Sequence, residues 1–105
     1  MTEDFVLVFD DVVLKQLKKV ERNNHLKLML SKMLDKLELF GPLAGELLDS
    51  KLFLYELKNK HPPLRLYYKH NRVTNEIYVL KFEMKTSPEK QERTIYKWKY
   101  KFSES

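Results

Sequence analysis

The sequence predicts an α+β domain in which an N-terminal strand and a helical hairpin pack on a small, mainly antiparallel sheet, with a C-terminal helix. Three observations carry that expectation. Apolar residues recur at three- and four-residue intervals from Val13 to Leu37, as they do along one face of a helix. The runs from Leu52 to Tyr68 and from Glu76 to Lys85 alternate instead, and side chains two apart in a strand share a face. From Pro88 onward the spacing is again helical, with Ile95, Trp98 and Phe102 on one stripe.

The elements follow in order. FVLVF, Phe5 to Phe9, is a short run of β-formers suited to a buried strand. Asp10 and Asp11 offer an N-cap and negative charge at a helix start, and Val13, Leu17 and Val20 then form a stripe that Lys15, Lys18 and Lys19 avoid. Asn23 or Asn24 separates this helix from a second, marked by Leu26, Leu30, Met33 and Leu37. GPLAGE, Gly41 to Glu46, ends it and serves backbone geometry.

The segment LFLYELKNKHPPLRLYY then reads as two strands about a His-Pro-Pro turn. Phe53, Tyr55 and Leu57 fall on one face, with Leu54, Glu56, Lys58 and Lys60 on the other; Leu64, Leu66 and Tyr68 oppose Arg65, Tyr67 and Lys69. In the third strand Tyr78, Leu80, Phe82 and Met84 are expected to oppose Ile77, Val79, Lys81, Glu83 and Lys85. Ser87 and Pro88 read as an N-cap and first-turn proline of the last helix, although KWKYKF also alternates and leaves a final strand from Tyr96 to Phe102 open.

At 105 residues the chain is read as one domain, residues 1–105. The lack of cysteine excludes disulfides and thiolate metal sites and fits a reducing, cytoplasmic setting. No apolar run has the length of a membrane span, and the acidic N-terminus is unlike a signal peptide. The formal charge of +5 is uneven: residues 1–57 hold eight Lys or Arg against ten Asp or Glu, and residues 58–105 twelve against five. A basic second half reads equally as attraction for an anionic partner, nucleic acid or an acidic protein segment, and as a solvated lysine-rich surface. His25, His61 and His70 lack metal-ligand spacing, and GPLAG is no phosphate-cradling loop; no metal or other cofactor is expected.

With LYELK at Leu54 to Lys58, LRLYY at Leu64 to Tyr68 and FEMKTSPEKQ at Phe82 to Gln91 in that order behind a helical hairpin, the chain resembles the RelE, HigB and ParE superfamily of type II toxins, most closely the phage-derived HigB-like branch. The resemblance spans most of the chain. It implies a RelE-like domain whose sheet receives RNA on a concave basic face. It also implies cleavage of messenger RNA on the ribosome and neutralisation by a cognate antitoxin protein. Carried over by position, Lys58, Arg65 and Lys85 take the places of basic site residues. The chain departs from the pattern in having Lys58 where arginine is commoner, a single lysine closing FEMK and no uniquely placed tail tyrosine.

Metal-free RNA cleavage uses the ribose 2′-hydroxyl as nucleophile, so a protein must remove its proton, stabilise the phosphorane and protonate the leaving 5′-oxygen. Arg65 suits the phosphate, and Lys81 or Lys85 adds charge beside it. Lys58 or Lys60 is a candidate base if neighbouring cations lower its pKa, and His61 is an alternative base or acid. Tyr67, with Tyr96 or Tyr100, would stack on bases or donate to phosphate, and Lys69, Lys81 and Lys97 would extend the RNA-binding surface. The plainer readings are a solvated hairpin face for the cations, a turn residue for His61 and core packing for Trp98 and the tyrosines. Two other functions fit the same resemblance: ParE-like, non-enzymatic inhibition of a topoisomerase, and an inactive relative that binds RNA or ribosomes.

Overall fold

The computed structural model describes residues 4–84 and 88–103. Strand β1 (Leu7–Phe9) leads into helices α1 (Asp11–Lys19) and α2 (Asn24–Phe40). A 3-10 turn (Gly41–Ala44) then precedes strands β2 (Glu46–Asp49), β3 (Leu54–Asn59), β4 (Leu64–His70) and β5 (Ile77–Met84), and helix α3 (Pro88–Ser103) follows. The sheet order is β1-β5-β4-β3-β2. Among the described residues only the β1–β5 pairing is parallel, so the expected mainly antiparallel α+β architecture is present.

The helix ends follow local chemistry. Asp10 caps α1 by accepting from the Val12 N–H at 3.1 Å, and Asn23 caps α2 by accepting from the Leu26 N–H at 3.1 Å. Gly41 ends α2 at φ 55°, where its N–H donates to the Leu37 carbonyl. A Cβ at Gly41 would lie 2.5 Å from the Phe5 ring, so this position needs glycine for both backbone and space.

The helices occupy opposite faces of the sheet. Val13, Leu30, Met33 and Leu37 from α1 and α2 pack with Leu57, Leu66, Tyr68, Ile77, Val79 and Phe82. Beneath α3, a smaller cluster joins Leu54, Tyr67 and Leu80 to Ile95, Trp98 and Phe102. Gln16 ties α1 to the sheet beyond the end of β1. Its side-chain amide donates to the Phe82 carbonyl at 2.7 Å, and its oxygen accepts from the Phe82 N–H at 2.9 Å, satisfying backbone groups that β1 is too short to reach.

Three local expectations require correction, and one strand was not anticipated. β1 begins at Leu7 rather than Phe5, whose N–H instead bonds the Glu38 carbonyl. Glu46–Asp49 adds an edge strand to β3, although its sequence, ELLD, has no clean alternation. Phe53 lies outside β3 with a left-handed φ of 53°. In β5, the register passes from Tyr67↔Lys81 to Tyr68↔Val79, leaving Leu80 as an extra residue. This bulge breaks strict alternation: Ile77, Val79 and Phe82 join the helical-hairpin core, while Leu80 turns to α3. The last segment is helical through Ser103, not a strand, because Ile95, Trp98 and Phe102 bury one stripe against the sheet. The expected cap at Ser87 lies outside the described residues.

Candidate functional site

Strand pairing brings the candidate residues into rows. Lys58 pairs with Arg65 and Arg65 with Glu83; Glu56 pairs with Tyr67 and Tyr67 with Lys81. Directly paired residues point to the same face, so the face beneath α3 alternates cations, carboxylates and a phenol. Lys69, paired with Leu54 and Tyr78, continues it toward the other end of β4.

Glu56 organises the first end of this face. Only 3% exposed, it lies 3.4 Å from the Lys58 ammonium and 3.5 Å from the Arg65 guanidinium, and accepts from the Gln91 amide at 2.7 Å. Lys58 also reaches Glu46 at 3.4 Å, bridging two carboxylates that β2–β3 pairing sets opposite one another. On the far side Lys81 lies 3.2 Å from Glu83, which accepts from the Tyr67 hydroxyl at 2.8 Å. Thus Lys58, Arg65 and Lys81 each have a carboxylate partner. Arg65 retains one buried donor, its Nε–H, with no partner among the described residues.

These surroundings set proton affinities. The negative charge of Glu56, then bonding to Glu46 and its charge, raises the Lys58 pKa above its ordinary value. The expectation that neighbouring cations lower it is therefore corrected: the nearest charges are carboxylates, which favour protonated Lys58 over a neutral base. Burial, reinforced by bonding to Glu83 and its charge, raises the Tyr67 pKa well above the usual phenol value, with Arg65 opposing. Burial alone lowers that of Lys69.

The remaining candidates are dispersed. Tyr67 is fully buried, with its ring 5.0 Å from Trp98 in an edge-on contact, and presents no open face to a base in this conformation. Lys60 and His61 lie exposed in the β3–β4 turn, which the Asn59 amide closes on the Pro62 carbonyl at 2.8 Å. Tyr96 and Lys97 line a shallow groove on α3 with Glu89, Glu92 and Arg93, not with the sheet cations. Lys85 lies outside the described residues. The sequence reading missed Glu56, Glu83 and Gln91 as partners. Glu56 in LYELK and Glu83 in FEMK alternate with lysines on the relevant strands, a signal of ion pairing; Gln91 had no comparable signal.

No group of three His, Cys, Asp or Glu side chains could hold a metal among the described residues. Nor is any helix in that set long and apolar enough to cross a membrane.

The architecture defines a class: a helical hairpin and a C-terminal helix on opposite faces of a five-stranded sheet, with a cationic row crossing it. It is the RelE fold. The isolated Escherichia coli RelE toxin superposes with a TM-score of 0.64 at 21% identity, covering 88% of this chain and 97% of that one. A free E. coli RelE variant with two arginines replaced by alanine gives 0.67 at 20% identity, covering 90% and 97%. The intact E. coli RelBE toxin-antitoxin complex contains a chain that gives 0.64 at 22% identity, covering 79% and 99%. No family model matches the sequence, and no curated protein matches it.

Proposed function

We propose that this chain is the toxin of a type II toxin-antitoxin system and acts as a ribosome-dependent mRNA endonuclease, with the HigB-like branch as its nearest kin. The observation that carries the reading is Arg65: within a RelE fold, its partly exposed guanidinium is held by Glu56 at 3.5 Å in a row of cations across the sheet. Such a group suits the charge that develops on a phosphorane. Protonated Lys58, 3.4 Å from Glu56, is suited to electrostatic support or proton donation to the leaving 5′-oxygen, with Lys85 as further charge. Removal of the 2′-hydroxyl proton falls to Lys60 or His61. The ribosome would supply the positioning that brings these groups to the scissile bond. A cognate antitoxin is the expected partner, and the cytoplasm the expected location.

The carboxylates beside Lys58, Arg65 and Lys81 favour a second reading, because they oppose approach of a polyanion. In it the chain is a ParE-like topoisomerase inhibitor or an inactive RNA-binding relative. Primer extension on a translated reporter mRNA separates these readings. Translation-dependent cuts with wild type that disappear with Arg65→Ala support the endonuclease. Growth arrest with an intact message supports topoisomerase inhibition; normal growth with an intact message supports an inactive relative.

A further inference from the structure

At the end of the sheet away from Arg65 lies a groove of about 650 Å³, lined among others by Lys51, Lys69, Arg72 and Lys101 with Asp10 as its sole carboxylate residue. None of these four cations has an ion-pair partner among the described residues, and Asp10 is engaged in capping α1. Aromatic rings support three of them instead: Lys69 lies 4.0 Å and Lys101 5.7 Å from the Phe102 ring centre, and Arg72 lies 5.1 Å from that of Phe53. A ring orients a cation while leaving its donors able to meet an anion.

The backbone is committed to the same arrangement. Phe53 adopts a φ of 53°, strained for a bulky residue, while its carbonyl accepts from the His70 N–H at 3.0 Å. This fixes the ring beneath Arg72. Burial lowers the Lys69 pKa, the direction expected for a partly desolvated cation without a countercharge.

We propose that this groove is a second anion site that binds the phosphodiester backbone of single-stranded RNA, with Lys51, Lys69, Arg72 and Lys101 meeting phosphates. The assignment rests on the reading of the chain as an RNA-directed toxin and adds a binding position remote from the reacting phosphate. Lys69 lies four residues beyond Arg65 on the same face of β4, ~13 Å at strand spacing. A short length of RNA spans that distance along the flank of α3. Arg72 is also exposed, so its planar guanidinium can take a stacked base on the side away from Phe53.

The test is fluorescence anisotropy of the purified full chain with a labelled single-stranded RNA oligonucleotide over a salt series, with labelled polyglutamate as competitor class. Wild type is compared with Arg72→Gln, Lys101→Gln and the double variant; circular dichroism verifies folding. Each single variant is expected to weaken RNA binding about three- to tenfold irrespective of sequence and to lower the salt slope by about one. Wild-type RNA affinity in a folded double variant overturns the proposal, as does binding of polyglutamate but not RNA. Primer extension reports separately on the parent reading: groove-dependent RNA binding with an intact message supports this site while rejecting the nuclease, whereas cleavage with groove-independent RNA binding does the reverse.

Discussion

The two ends of the face beneath α3 carry cations in opposite circumstances. Around Arg65, three cations are matched by Glu46, Glu56 and Glu83; around Arg72, four line a groove with one carboxylate residue, Asp10. Charge density in the sequence marks both ends, but only the second retains strong positive excess. If the proposed function holds, the first end, with its restrained donors, is the one suited to chemistry. On the same reading the second end suits capture, because unmatched charge attracts a polyanion at long range.

The sharpest way to break this division is Arg65→Ala. If Arg65 stabilises the reacting phosphate, translation-dependent cleavage should fall by about 10²–10³-fold, measured as cut-site yield by primer extension. An equal loss for Arg72→Gln would erase the distinction between chemistry and capture. Trp98→Ala tests the element separating the two ends. Losing its packing over Tyr67 should destabilise the chain by about 2–3 kcal/mol, measured by urea unfolding, while loosening α3 from both ends.

Glu56→Gln should unbalance the Arg65 end by leaving Lys58 and Arg65 without their shared carboxylate. A stability loss of about 1–3 kcal/mol is expected, together with tighter and more salt-sensitive RNA binding; unchanged urea midpoints would deny Glu56 its organising role.

High pH probes both faces of the sheet, with Tyr67 beneath α3 and Tyr68 in the core under the helical hairpin. Burial raises the pKa values of Tyr67 and Tyr68 above the usual phenol value of 10.0 in the folded chain. Stability from these groups is therefore complete below pH 10 and declines as pH rises toward the folded values. The loss should be about 1.4 kcal/mol per tyrosine for each pH unit above 10. Urea midpoints between pH 9 and 12, followed with tyrosinate absorbance, test this. The smallest change is Lys99→Ala. It removes a 3.2 Å pair with Asp49 beside the Arg72 end, but the lysine is exposed, so a shift within about 1 kcal/mol is expected. A larger shift would mean that α3 is pinned electrostatically rather than by Trp98.

The legible parts of the chain were those governed by local periodicity. The stripe through Leu30, Met33 and Leu37 enters the core as expected, and strand alternation places Arg65, Tyr67 and Lys69 together. Three features escaped because their causes are tertiary. Glu46–Asp49 becomes a strand only because β3 offers it an edge; Leu80 changes face because the sheet accommodates an extra residue; and α3 covers the cationic face because Trp98 meets Tyr67 there. Strand alternation thus grouped Lys58, Arg65, Tyr67, Lys69 and Lys81 on one face, but not their charge-balanced arrangement, and Tyr96 and Lys97 lie apart from that row. The carboxylates were visible in LYELK and FEMK, whereas Gln91 reaches Glu56 across 35 residues of sequence.

The latch formed by Gln16 has a consequence for how the fold assembles. It joins α1 to β5 across 66 residues, and β1 likewise finds its parallel partner only when β5 exists. The β3–β4–β5 meander closes through short turns, so its contacts are local and kinetically favoured, whereas β1 and Gln16 close a long loop. β1 is thus among the last strands to be seated, and completion of the sheet awaits β5.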